Sequence, residues 1–129
     1  MIRRSYRAFA TRDLATLKEL SLPDVEVRTV TGALANRTEP YRGHEGLEAY
    51  LADVGRLWDE LELLPAEFHD LDAERVLVLG RVRARRGSTL LDSPSVWVWR
   101  IRGGLVASAE VYGDPEAGLA LLGGADPPG

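Results

Sequence analysis

The amino-acid sequence predicts an α+β fold, with helices laid over one face of an antiparallel sheet. Two observations predict it. Apolar residues recur at helical spacing through most of residues 2–58, and they alternate with period two through most of residues 61–113. Helices first and strands later is the order of an α+β domain rather than of repeating strand–helix units. With 129 residues the chain has room for one domain and one sizeable core. That domain is expected over residues 1–122, followed by a flexible Gly/Pro-rich tail, 123–129.

Ile2, Tyr6 and Phe9 fall on one face of a first helix. Asp13 is placed to cap a second, because its carboxylate can accept the free amides of the next turn; Leu14, Leu17 and Leu20 line one side of it. Pro23 ends that segment. Val25, Val27 and Thr29 then share one side of a strand over 25–30, and Gly32, Asn36 and Pro40 mark a loop. The cleanest helix follows. Leu47, Leu51, Val54 and Trp58 form a stripe widened by Tyr50, Leu57 and Leu61, with Gly43 as cap and Glu45 at the positive end of the helix dipole.

Strands are predicted over 61–71 and 75–85. The second carries Val76, Val78, Gly80, Val82 and Ala84 on one face and Leu77, Leu79, Arg81, Arg83 and Arg85 on the other. After a turn at Arg86-Gly87, a strand over 95–102 sets Trp97, Trp99 and Ile101 against Val96, Val98 and Arg100. Gly103-Gly104 makes a tight hairpin, and a strand over 105–113 returns with Ala107, Ala109 and Val111 opposed to Ser108, Glu110 and Tyr112. Asp114-Pro115-Glu116 opens a short helix that Gly123 closes.

The helix-covered face is then the one bearing Val76, Val78, Val82, Trp97, Trp99, Ala107, Ala109 and Val111. Two large indoles beside two alanines on the neighbouring strand let a curved sheet close on its helices. The opposite face mixes Leu77, Leu79, Val96, Val98 and Tyr112 with Arg81, Arg100 and Glu110. A monomer seldom exposes so much apolar area in one patch, so this face is expected to form a homodimer interface with a charged rim.

Composition narrows the function classes. The chain is 45% hydrophobic and 28% charged, with a net charge of -4, a surface that anionic membranes and nucleic acids repel. No nucleic acid and no membrane is expected as a partner. There are no cysteines, which excludes disulfides, thiolate catalysis and Cys-based zinc sites; two histidines, His44 and His69, are too few for an imidazole-rich metal centre. No metal and no cofactor is expected. The first ten residues carry three arginines and no long apolar stretch, unlike a signal peptide, and no run of about 18 apolar residues occurs anywhere. A cytoplasmic location is the expectation.

Four features in order carry a family resemblance: Asp13-Leu14 opening the second helix, Pro23-Asp24-Val25 leading into the first strand, Tyr41-Arg42-Gly43-His44-Glu45-Gly46-Leu47 opening the long helix, and Val111-Tyr112-Gly113-Asp114 before a short Ala/Leu helix. Each is weak alone, but their order and spacing are specific. The chain resembles the nuclear transport factor two-like superfamily, and within it the SnoaL-like group. The resemblance implies a cone: a strongly curved sheet wrapped around an internal pocket and closed by helices, often a homodimer through the outer sheet face. Members include ketosteroid isomerases, limonene epoxide hydrolases, scytalone dehydratases and SnoaL-type polyketide cyclases, and others without known catalysis, so the fold alone does not choose a function.

The resemblance also implies where catalytic groups belong. The isomerase type places a carboxylate base, a tyrosine and a carboxylic acid where this chain has Thr29, Ser5 (with Tyr6 adjacent) and Trp97. Threonine is too weak a base at neutral pH and an indole is a poor proton shuttle. The epoxide-hydrolase type places an Arg and two Asp where this chain has Gly80, Val82 and Val111. The cyclase type leaves His44, Tyr6, Tyr41 and Ser5 as polar candidates. His44 is either an acid or base at the pocket mouth or an ordinary first-turn histidine. Catalytic candidates are therefore His44, Tyr6, Tyr41 and Thr29.

Other clusters have ordinary explanations. His69, Asp70, Asp72 and Glu74 have spacing suited to a strand end and turn; Arg81, Arg83, Arg85 and Arg86 suit a solvated strand edge that discourages aggregation; Glu110 suits a cross-strand ion pair with Arg100 or Arg81. Trp97 and Trp99 either line a pocket or fill it. The reading that results is a small-molecule-binding cone whose apolar pocket is lined by Phe9, Val27, Leu47, Leu51, Trp58, Phe68, Val82, Trp97, Trp99 and Val111, and which takes a small neutral hydrophobic molecule. The alternative is an isomerase, cyclase, dehydratase or hydrolase with a rearranged site. A protein-interaction module ranks third.

Overall fold

The computed structural model describes residues 2–112 and 115–123. Among these it holds five helices, α1 (Ile2–Ala10), α2 (Leu14–Glu19), α3 (Val30–Leu34), α4 (Gly43–Leu57) and α5 (Pro115–Leu119). Six strands accompany them: β1 (Ser21–Arg28), β2 (Tyr41–Arg42), β3 (Glu60–Asp70), β4 (Arg75–Arg86), β5 (Thr89–Arg102) and β6 (Leu105–Tyr112), and a 3-10 turn covers Ala120–Gly123. The strands form one curved, unclosed sheet in the order β2-β1-β6-β5-β4-β3. Four of its five pairings are antiparallel, and β1 runs parallel to β6. A parallel pair needs a long connection, and everything from α3 to β5 lies between those two strands.

Local chemistry explains most boundaries. Asp13 caps α2: its Oδ1 accepts from the Thr16 amide at 3.2 Å and its Oδ2 from the Thr16 hydroxyl at 2.6 Å. Gly103 and Gly104 both take positive φ, 59° and 79°, as a two-residue hairpin with the twist of its strands requires. Pro23 does not stand ahead of the first strand but inside it, where the register against β6 shifts between Ser21 and Glu26; a residue without an N–H is tolerated at such an irregularity. The expected loop at 30–34 is helix α3, started by Thr29, whose Oγ1 accepts from the Gly32 amide at 3.3 Å. Five residues are too few for a periodic apolar signal to show. Tyr41-Arg42, expected to open the long helix, is the short strand β2. Strand β5 begins at Thr89 rather than Ser95, continuing through Pro94, which faces Arg81 on β4.

Helix α4 buries Leu47, Tyr50 and Val54, and Leu51 lies at the edge of that face. On β6 the expected inward Ala107 is displaced. The register against β5 passes from Arg100↔Ser108 to Ile101↔Val106, one residue is bulged, and Val106 turns inward at 3% exposure. The concave side holds two connected apolar clusters, one around Phe9, Val25, Tyr50 and Val54, the other around Tyr6, Val78 and Trp97.

The convex face is not bare. Leu121 of the terminal turn packs with Leu77 and Val96, which are 0% and 2% exposed, and Leu79, Val98 and Tyr112 flank them. Gly118 lets α5 lie close: a Cβ there would stand 2.6 Å from Val96 Cγ1. The homodimer expected through Leu77, Leu79, Val96, Val98 and Tyr112 presupposes an open apolar patch, and the chain's own C-terminal segment covers the middle of it. Leu121→Ala is expected to destabilise the chain by about 2–3 kcal/mol, read as a lower urea midpoint at unchanged m. The expected cap Asp114, together with Gly113 and the tail from 124 onward, lies outside the described residues. Among the described residues no helix is long and apolar enough to cross a membrane.

Candidate functional site

Period-two alternation on a curved sheet points one row of each strand into the hollow of the cone, and the helices close it. The hollow is a cavity of about 200 Å³. Helix α1 contributes Ser5, Tyr6 and Phe9; β1 contributes Val25 and Val27; Thr29 follows at the cap of α3; α4 contributes Leu47 and Tyr50. Strand β5 supplies the longest row, Leu91, Ser93, Ser95, Trp97 and Trp99, with Val82 of β4 on one side and Ala109 and Val111 of β6 on the other. Of the residues expected on the wall, Phe9, Val27, Leu47, Trp58, Val82, Trp97, Trp99 and Val111 line it. Leu51 does not, because Tyr50 takes the inward position on α4. Phe68 does not either: it packs against the cluster of Tyr6, Val78 and Trp97, with the Arg3 guanidinium 4.1 Å above its ring.

The polar groups at the cavity are mostly engaged with one another. Trp99 Nε1 donates to Tyr6 Oη at 3.0 Å, and the Tyr6 ring packs edge-on against Trp97 with centroids 5.6 Å apart. Burial pushes the Tyr6 phenol well above its ordinary pKa, outweighing the Trp99 bond that lowers it. Burial does the same to Tyr50. Both phenols therefore stay protonated at neutral pH and act as hydrogen-bonding groups, not as bases. Trp58 Nε1 donates to Thr31 Oγ1 at 3.1 Å, holding α3 against the end of α4. Arg28 is the one charged residue among the described lining residues, and it is exposed; no Asp, Glu, His or Lys is among them.

The four catalytic candidates do not converge. Tyr6 and Thr29 line the cavity, and Tyr41 and His44 do not. His44 Nε2 lies 3.2 Å from the Ser21 carbonyl oxygen, tying the start of α4 to the start of β1. Tyr41 faces the other side of α4, where its hydroxyl donates to Asp53 Oδ2 at 2.6 Å. Burial first, and then the Asp53 carboxylate, push the Tyr41 phenol up to about 12.

Asp53 is the buried charge that sequence reasoning misses. It is 6% exposed, and besides Tyr41 it accepts from Arg37 Nε at 2.7 Å and Arg56 Nη2 at 3.0 Å. The Arg37 bond chiefly, then those of Tyr41 and Arg56, hold its carboxyl down at about 2 against the opposing effect of burial. One signal points to it: Asp53 sits beside Val54, within the apolar stripe of α4. The cluster anchors the loop after α3 to α4.

The remaining clusters are structural. Arg81 and Arg83 face outward onto Asp92, at 2.8 and 3.4 Å, and Arg85 reaches Asp59 and Glu60, so Arg81 is paired with Asp92 and not with Glu110. Glu110 stands across from Val98 and Arg28. Asp72 clamps its own turn by accepting from the Glu74 and Arg75 amides at 3.0 and 2.8 Å. Sequence reasoning also misses Ser93, because Pro94 reads as a strand break, and it leaves Ser95 without a role.

Residues 2–109 match the SnoaL-like domain family. The chain is 33% identical over 122 residues to an uncharacterised protein of Mycobacterium tuberculosis, covering 91% of this chain and 89% of that one. In structure it is similar to an NTF2-like protein of unknown function from Burkholderia pseudomallei (TM-score 0.76, 28% identity, 93% of this chain and 92% of that one). It is similar to TerC co-crystallised with polyporic acid (TM-score 0.77, 27% identity, 95% of each chain). A hypothetical protein of Catenulispora acidiphila with a ketosteroid isomerase-like fold, in complex with trimethylamine, shares the fold at 15% identity (TM-score 0.72, 95% of this chain and 91% of that one).

Proposed function

The chain belongs to the SnoaL-like domain family, and from that premise we propose that it binds a small, uncharged, hydrophobic molecule in the hollow of its cone. One observation carries this reading: the cavity wall is mainly apolar and aromatic, and among the described lining residues the single charged group, Arg28, is exposed. An ionised ligand would lose its hydration there without gaining a buried counter-charge. A neutral one exchanges water for Phe9, Val27, Leu47, Trp97 and Trp99. The co-crystallisation of TerC with polyporic acid supports a ligand-holding role for this fold.

A second reading, an isomerase, cyclase or hydrolase with a rearranged site, rests on Tyr6 and Thr29, which share the cavity. Against it stands the chemistry of those groups. A threonine hydroxyl and a phenol held protonated by burial supply hydrogen bonds, and proton transfer from carbon needs a base. The binding reading is therefore preferred.

A thermal-shift titration with tetralin and with the carboxylate 5,6,7,8-tetrahydro-2-naphthoate tests it. Tetralin is expected to raise Tm by about 5 °C at tenfold excess over its Kd, and the anion is expected to leave Tm unchanged. Equal shifts from both, or none from either, would overturn the reading.

A further inference from the structure

The concave row of β5 reads Leu91, Ser93, Ser95, Trp97, Trp99: two hydroxyls set among apolar side chains. Ser95 is 6% exposed, yet its side chain makes no hydrogen bond within the described chain. Among the described residues no side-chain oxygen is both sealed from space and unbonded, so the Ser95 hydroxyl opens on the cavity. Ser93, two residues along the same face, is in the same position, about 7 Å away by strand geometry. Most of the other cavity hydroxyls are spoken for. Thr29 Oγ1 takes the Gly32 amide, Thr31 Oγ1 takes the Trp58 indole, Tyr6 Oη takes the Trp99 indole, and Ser5 is engaged. Tyr50 interacts with Thr29, Tyr112 packs with Leu77, Val96 and Leu121, and Ser21 stands on β1 beside Val106. Gly80, opposite Ser95 on β4, has no side chain with which to satisfy it.

Resting on the binding reading above, we infer that Ser93 and Ser95 form a subsite for an uncharged oxygen of the ligand, a ketone or an alcohol, while the carbon skeleton lies against Trp97, Trp99 and Val82. A serine hydroxyl both donates and accepts, so it serves either function. A hydroxyl aimed at apolar space discriminates strongly, because a ligand without oxygen leaves it unpaired once water is expelled. The pair thus makes the cavity polar at one place and gives the ligand a fixed orientation.

Tetralin, 1-tetralone and 1-tetralol share one skeleton and differ only in that oxygen. Their Kd values are measured by quenching of tryptophan fluorescence on the full chain and on the S95A, S93A/S95A and S108A variants, each checked for folding by circular dichroism; Ser108 lies on β6 outside the cavity lining. Wild type is expected to bind the tetralone and the tetralol about tenfold more tightly than tetralin. S95A and S93A/S95A are expected to lose that preference while binding tetralin at least as tightly as wild type, and S108A to behave as wild type. The inference is overturned if tetralin binds and wild type shows no preference for oxygen, or if the preference survives in S93A/S95A. Both of those results leave the binding reading standing. Failure of all three probes to bind wild type removes that reading and this inference with it.

Discussion

Gly80→Ala is expected to destabilise the chain by more than about 3 kcal/mol, or to prevent folding altogether. Gly80 lies in the middle of β4, between β3 and β5. Strand β3 is irregular at this place: its register against β4 shifts between Pro65 and Glu67, and the bulged segment bears down on Gly80. A Cβ on Gly80 would stand 2.9 Å from Pro65 Cα and 3.0 Å from the Leu64 carbonyl carbon, with the Leu64 oxygen nearer still. All three are backbone atoms of a paired strand. A side chain can rotate away from such a clash, but this backbone moves only by giving up ladder hydrogen bonds on both sides of the bulge. Gly55→Ala is the matched control, since nothing stands within 4 Å of a Cβ there and the residue is inside α4, where alanine is favoured by about 1 kcal/mol. Circular dichroism and urea melts distinguish the two. At this chain length 1 kcal/mol is worth about 4 °C, so G80A melting within about 2 °C of wild type would show that β3 yields more easily than its geometry implies.

Asp53→Ala is expected to lower stability by about 2–4 kcal/mol. The carboxylate is buried and satisfies Arg37, Arg56 and Tyr41 together, so its removal leaves the Tyr41 hydroxyl unpaired inside the protein and two guanidinium groups without their partner. Arg37 and Arg56 are 42% and 62% exposed and regain water, which keeps the loss below that of a fully buried triad. The pH dependence has a definite sign. The folded-state pKa of Asp53, about 2, lies below the ordinary 3.8, so the ionised carboxylate contributes stability that is fully present above about pH 4 and is lost as pH falls toward 2. The difference in unfolding free energy between wild type and Asp53→Asn is therefore expected to be constant from about pH 5 to 7 and to shrink between about pH 4 and 2. Taking that difference removes the contribution of Asp72, whose carboxyl is held at about 2 by Arg75 and by its own turn and would otherwise titrate in the same window. A difference that stays flat down to pH 2 would mean that the ionised state of Asp53 adds no stability.

Much of the fold follows from short-range pattern. The inward row of Trp97 and Trp99 is a consequence of alternation, since successive strand residues point to opposite faces. The Asp13 cap and the double-glycine turn are consequences of backbone chemistry confined to four or five residues. The long helix is legible because 15 residues give several turns of one apolar face. Errors gather where one residue changes the count. The bulge in β6 replaces Ala107 with Val106, and on α4 Tyr50 rather than the expected Leu51 meets the cavity. Pro94 conceals six residues of β5 and with them one of the two serines on its inward row. Asp53 is concealed because a single acid on a helix usually faces water.

By itself, then, the sequence determined which side of each strand is apolar, where the chain turns, and that the interior holds no thiol. These are properties of neighbours along the chain, set by sterics and hydrogen bonds that act within a few residues. Only the tertiary structure decided that the C-terminal segment packs on the middle of the convex face, that His44 and Tyr41 leave the cavity while Tyr6 and Thr29 stay, and that Asp53 is buried among two arginines and a tyrosine. Those outcomes depend on pairings between residues far apart in sequence, where one bulge or one short helix re-aims every side chain beyond it.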